Sequence, residues 1–103
     1  MDLAELRHAA LAATGLLKAL ANQDRLLLLC QITQGEYCVS ELEELTGVKQ
    51  PTLSQQLTVL RAEELVSTRR EGKQIYYSIA SKEALAVMQV LYEQFYRPGK
   101  GKK

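Results

Sequence analysis

Five short polar side chains stand close together at the middle of this sequence: Thr52, Ser54, Gln55, Gln56 and Thr58. Hydroxyls and primary amides both donate and accept hydrogen bonds, which suits them to base edges or phosphates in a major groove. An amide such as Gln55 or Gln56 carries the donor and the acceptor needed for two-bond pairing with adenine. Lys49 and Gln50 precede this group, and Arg69, Arg70 and Lys73 follow it, all of a kind that contacts phosphate. Cys30 and Cys38 are the two residues with redox chemistry, and His8 is the single histidine. One histidine assembles neither a histidine-rich metal cluster nor a serine–histidine–aspartate set, and no glycine-rich phosphate loop of common spacing is present. These residues exclude the familiar enzyme designs and call for neither metal nor cofactor.

The elements that must position these residues are readable from spacing. Leu3, Leu6, Ala10, Ala13, Leu17 and Leu20 keep a helical period, which predicts a helix of four or five turns. Asn22 is the expected N-cap of a second helix to about Thr33, with Asp24 in its first turn and Gly35 beyond its end. Leu26 to Leu29 and Ile32 make that helix apolar on most sides and therefore buried. Ser40 and Glu43 fit a capping box that opens a short third helix ending at Thr46-Gly47. Lys49-Gln50-Pro51 opens a fourth helix, with proline in its first turn and Leu53, Leu57 and Leu60 on its inner face, running to about Glu63.

After Glu64 the residues turn β-branched and aromatic. Leu65–Arg70 and Lys73–Ile79 predict two strands around Glu71-Gly72, with basic residues near the tip. Ser81 caps a last helix from Lys82 to about Tyr96, which Arg97-Pro98-Gly99 stops ahead of a basic tail, 97–103. A short helix, a turn containing glycine, a longer helix and a hairpin make a winged helix-turn-helix in one domain, 1–103. Its order is α-α-α-α-β-β-α, mainly helical, with the helix-turn-helix at about 40–63 and the wing at about 65–79. Thr52, Ser54, Gln55, Gln56 and Thr58 then lie on the outer side of the reading helix, and Arg69, Arg70 and Lys73 on the wing.

Charge supports this placement. The chain of 103 residues has a formal net charge of +1, yet residues 1–48 are net acidic and the basic side chains gather in the C-terminal half. No apolar run approaches the length of a membrane span, and the acidic N-terminus lacks the layout of a secretory signal, so a cytoplasmic location without membrane contact is expected. Two cysteines do not make a disulfide scaffold. Met88, Leu91, Tyr92, Phe95 and Tyr96 give the last helix more apolar surface than one small domain covers, so the first and last helices are the expected dimer elements.

Several stretches resemble the ArsR/SmtB family of bacterial repressors. They are Leu17-Lys18-Ala19-Leu20-Ala21-Asn22 with Arg25, Tyr37–Leu42, Gln50–Leu57 with Leu60-Arg61, and Gly72–Tyr77, in the family's order from about Leu11 to Tyr96. The resemblance implies a homodimer that binds an imperfect palindrome in double-stranded operator DNA and leaves it when an inducer binds. The family's metal sites are not intact. Only Cys38 remains where arsenic sensors carry a cysteine pair or trio, with Ser40 and Glu43 at the other places. Where zinc sensors carry carboxylates and imidazoles, this chain has Ser81, Glu83, Gln94 and Arg97. Leu28-Leu29-Cys30, Gln50–Leu57 and Lys73-Gln74-Ile75 are similar to the sulfide- and redox-responsive branch, which pairs a cysteine matching Cys30 with one near the end of the last helix, at or beside Tyr96 here.

Two readings of the thiols stay open. Cys30 and Cys38 form a rearranged redox pair that releases DNA on oxidation or reactive sulfur, or both are small packed residues. The other open reading is a constitutive winged-helix module, for DNA or for protein contact, with structural cysteines and no inducer.

Overall fold

Asp2 begins the first helix by accepting a hydrogen bond from the Ala4 N–H at 3.4 Å. The computed structural model describes residues 2–96, and the expected tail at 97–103 lies outside them. The elements are α1 (Leu3–Leu20), α2 (Gln23–Ile32), β1 (Tyr37–Cys38), α3 (Val39–Thr46), α4 (Thr52–Ala62), β2 (Val66–Glu71), β3 (Gln74–Ile79) and α5 (Lys82–Leu91), followed by a π-helical turn, Tyr92–Tyr96. The winged helix-turn-helix is present with every expected helix.

Local chemistry explains the starts and stops. Asn22 Oδ1 accepts from the Arg25 N–H at 3.0 Å and Ser81 Oγ from the Ala84 N–H at 3.0 Å, so α2 and α5 are capped as their sequences require. Gly47, at φ 78°, closes α3 in the left-handed region that glycine enters without a Cβ clash, and its N–H reaches the Glu43 carbonyl at 2.9 Å. Gly72, at φ 64°, does the same for the turn between β2 and β3.

The core is one cluster. Leu28, Leu29 and Ile32 of α2, Leu42 of α3, and Leu53, Leu57 and Leu60 of α4 are fully buried, and Val66, Ala84 and Met88 close it from the wing and α5. Each fully buried leucine contributes about 1.5–3 kcal/mol. The inner stripe of α4 thereby fixes which side of that helix faces out.

Four local expectations are corrected. The hairpin belongs to a three-stranded antiparallel sheet, ordered β1-β3-β2, because Tyr37 and Cys38 pair with Tyr77 and Tyr76. That pairing holds Cys38 extended, so α3 starts at Val39 and its box is Cys38 with Glu41, whose Oε1 accepts from the Cys38 N–H at 2.9 Å. Ser40, already inside the helix, instead places its Oγ 3.4 Å from Cys38 Sγ. Pro51 stands just before α4 rather than in its first turn. Finally, the regular part of the last helix stops at Leu91, and the aromatic cluster falls on the π-helical turn.

Candidate nucleic-acid interface

With Leu53, Leu57 and Leu60 turned inward, α4 presents Ser54, Gln55, Thr58 and Arg61 as an exposed stripe, while Thr52 and Gln56 are half-buried at its edges. Those four positions follow i, i+1, i+4 and i+7, one continuous side of a helix. Arg61 was not among the expected contacts. Its signal was available, since it lies two turns along the stripe from Ser54. An open groove of about 380 Å³ runs between α4 and the wing, lined by Leu57, Thr58, Arg61, Ala62 and Tyr77.

The hydrogen bonds sort the expected contacts into free and committed groups. Gln50 Oε1 accepts from the Ser54 N–H at 3.1 Å and so satisfies an orphan donor at the start of α4. The exposed Lys49 lends its carbonyl to the Leu53 N–H at 2.9 Å, and its side chain enters no ion pair among the described residues. The Thr58 hydroxyl donates to the Ser54 carbonyl at 2.8 Å. Gln55 is exposed and makes none of these bonds among the described residues. Gln56 differs from it: its Oε1 accepts from Arg25 Nη1 at 2.7 Å. The Gln56 amide oxygen therefore already holds one hydrogen bond within the protein, which turns the amide toward Arg25.

The wing shows a similar division. Strand alternation and register place Ser67, Arg69 and Glu71 on one face with Ser78, Tyr76 and Gln74, and Val66, Thr68 and Arg70 on the other with Ile79, Tyr77 and Ile75. Arg69 Nε donates to both carboxylate oxygens of Glu36 at 3.0 Å, and its Nη1 donates to Glu71 at 2.6 Å. The same guanidinium lies 5.0 Å above the centre of the Tyr76 ring. Hydrogen bonds to Glu71 and Glu36 raise its pKa, and desolvation pushes the Tyr76 phenol up, with Cys38, Glu41 and Glu71 acting in the same direction. Arg69, expected to contact DNA as a free cation, is thus tied to the loop before β1. Arg70 and Lys73 are exposed and enter neither of these ion pairs.

The two cysteines are free thiols in different surroundings. Cys30 is half-buried and lines a cavity of about 150 Å³ with Thr33, Gln34, Leu85, Met88, Gln89, Tyr92 and Glu93. Burial pushes its thiol pKa up, so the thiolate is disfavoured there. Cys38 is buried outside the main cluster, paired to Tyr76 across the sheet. Among the described residues no group of three or more His, Cys, Asp or Glu could hold a metal, and no helix is long and apolar enough to cross a membrane.

Known proteins share this fold. Residues 22–68 match the profile of the bacterial regulatory protein, arsR family. A biofilm growth-associated repressor from Agrobacterium fabrum is 51% identical over 83 residues, covering 81% of this chain and 71% of that protein. The crystal structure of the transcriptional repressor BigR from Xylella fastidiosa superposes with a TM-score of 0.84 at 42% identity, over 92% of this chain and 97% of that one. The homodimeric winged helix-turn-helix DNA-binding domain Mb0332 from Mycobacterium bovis, a possible ArsR-family regulator, superposes with a TM-score of 0.73 at 36% identity, over 85% and 83%.

Proposed function

This chain belongs to the ArsR family of bacterial regulatory proteins, and we propose that it is a homodimeric repressor that reads an imperfect palindrome in operator DNA. It is a regulator of transcription, not an enzyme. The observation that carries the proposal is the exposed stripe Ser54, Gln55, Thr58 and Arg61 on α4, standing beside a wing whose Arg70 and Lys73 enter no ion pair among the described residues. Helix α4 enters the major groove, where Ser54 and Gln55 meet base edges, and the exposed Gln55 offers its amide oxygen and NH₂ to adenine. Lys49, Arg61, Arg70 and Lys73 lie over phosphates, Thr52 meets the DNA at the edge of the stripe, and Gln50 holds the start of the helix. A protein that acts on operator DNA in a bacterium works in the cytoplasm.

The dimer follows from uncovered apolar surface. Leu3, Leu6, Leu11 and Leu17 of α1 are exposed, as are Val90 of α5 and Phe95, which is 75% exposed. A second copy covering α1 and α5 removes this surface from water and presents two α4 helices to successive major grooves, so a two-fold protein meets a palindromic site. Sedimentation of the wild type beside Leu11→Glu/Phe95→Glu tests it: the wild type runs as a dimer and the variant as a folded monomer with lost operator affinity. A monomeric wild type contradicts it.

Release by a chemical signal at the thiols is the second reading, and the cavity beside Cys30 favours it by admitting a small reactant next to a sulfur. Cys30→Ser and Cys38→Ser separate the cases. An oxidant that frees DNA from the wild type but from neither variant means a working thiol pair. Release unchanged in both variants means packed, structural cysteines.

A further inference from the structure

Arg25 joins three helices through one side chain. It sits in the first turn of α2, half-buried, with its own N–H held by the Asn22 cap. Its Nε donates to the Ala19 carbonyl at 2.6 Å and its Nη2 to the Lys18 carbonyl at 3.3 Å. Both carbonyls belong to the last turn of α1, where helical acceptors run out of intrahelical partners. The remaining arm, Nη1, reaches Gln56 Oε1 on α4 at 2.7 Å. Arginine has donors only and stays charged at any working pH, so the amide of Gln56 must turn its oxygen to Arg25 and its NH₂ away. This is a charge-assisted bond between residues 31 apart in sequence.

Resting on the reading of α4 as the DNA-reading helix, we propose that Gln56 is a positioning residue for operator recognition. Its amide oxygen, held by Arg25, fixes where α4 stands against the end of α1, and base contacts fall to Ser54 and Gln55. Gln56 lies beside Gln55 in the chain, yet its task is opposite: it faces the protein's own scaffold. Losing the bond leaves an arm of a half-buried guanidinium without its acceptor, and against the end of α1 the helix then relies on the packing of its leucine stripe. A leucine stripe sets the buried face of a helix well but resists sliding and rotation less than a directional bond does.

The test compares Gln56→Leu with Gln56→Glu by fluorescence anisotropy on the protein's own upstream DNA and on a scrambled duplex, with a thermal melt of each variant. Glutamate keeps an acceptor for Arg25 but has no donor for a base or a phosphate. Positioning therefore predicts that Gln56→Leu loses at least about tenfold in operator affinity, the lower end of the scale of a hydrogen bond to a charged group, while Gln56→Glu stays within about threefold of wild type. If Gln56→Glu folds and loses as much as Gln56→Leu, the amide touches DNA itself and the proposal is overturned. Wild-type affinity in Gln56→Leu overturns it as well. Should Gln56→Leu not fold, Gln56→Glu decides alone, with a tenfold loss counting against the proposal and near wild-type binding counting for it. Failure of the wild type to prefer its upstream DNA refutes the DNA reading itself, which separates that failure from this one.

Discussion

Arg69 and Arg70 are adjacent arginines on the same strand, yet the structure predicts that they differ in salt dependence. Arg69 is held by Glu36 through both carboxylate oxygens at 3.0 Å and by Glu71 at 2.6 Å, and it lies over Tyr76. Arg70 points to the other face of the strand and enters neither ion pair. Each phosphate neutralised on duplex DNA contributes about 0.9 to the slope of log affinity against log salt. Arg70→Gln removes one such contact per protomer, so a dimer loses about 1.8 from that slope. Between 50 and 200 mM salt, wild-type affinity then falls about twelvefold more than that of Arg70→Gln. Arg69→Gln removes a cation already matched by two carboxylates and changes the slope by less than about 0.5. The assay is an anisotropy titration of one operator duplex at four or five salt concentrations. Equal loss of slope in the two variants refutes the reasoning, because it means Arg69 leaves Glu36 and Glu71 when DNA arrives.

Three other outcomes follow from packing and backbone. Leu57→Ala empties a fully buried site in the middle of α4 and should cost about 2–5 kcal/mol in urea unfolding; a cost below 1 kcal/mol would show that the site collapses around the smaller side chain. Glu64 adopts a positive φ of 61° just after α4, so Glu64→Gly should raise stability by about 0.5–1 kcal/mol, read from the same transition, whereas a loss would mean that the Glu64 side chain contributes more than its backbone costs. Burial raises the Cys30 pKa, so less thiolate exists at any given pH. Alkylation of Cys30 in a Cys38→Ser background should therefore be slower at pH 8 than that of a free thiol and still rising with pH beyond the free thiol's plateau. Fast reaction at pH 7 would contradict this.

What the sequence shows and what it hides divide along the distance between interacting residues. The stripe Leu53, Leu57 and Leu60, the caps Asn22 and Ser81, and the closing Gly47 all act within one or two helical turns, so each is legible in its own segment. Strand β1 has only two residues and exists because β3, nearly forty positions later, supplies its partners. Its arrival moves the α3 cap from Ser40 to Cys38, a shift no local pattern of Ser40 and Glu43 reveals. The same holds for function. Gln55 and Gln56 are alike by type and neighbouring in sequence, and Arg25, on another helix, is what separates them. Arg69 resembles Arg70 until Glu36 is brought beside it. Polar type and helical face mark the proposed interface, while long-range hydrogen bonds such as those of Gln56 and Arg69 are visible only in the structure.

Selective DNA binding by a dimer underlies every functional expectation above. Its most direct test is a stoichiometric anisotropy titration of the wild-type protein on its own upstream duplex and on a scrambled duplex of equal length, at about 150 mM salt. The predicted result is two protomers per operator and an affinity at least about a thousandfold above that for the scrambled duplex. Equal affinity for the two duplexes, or saturation at one protomer per operator, would contradict it.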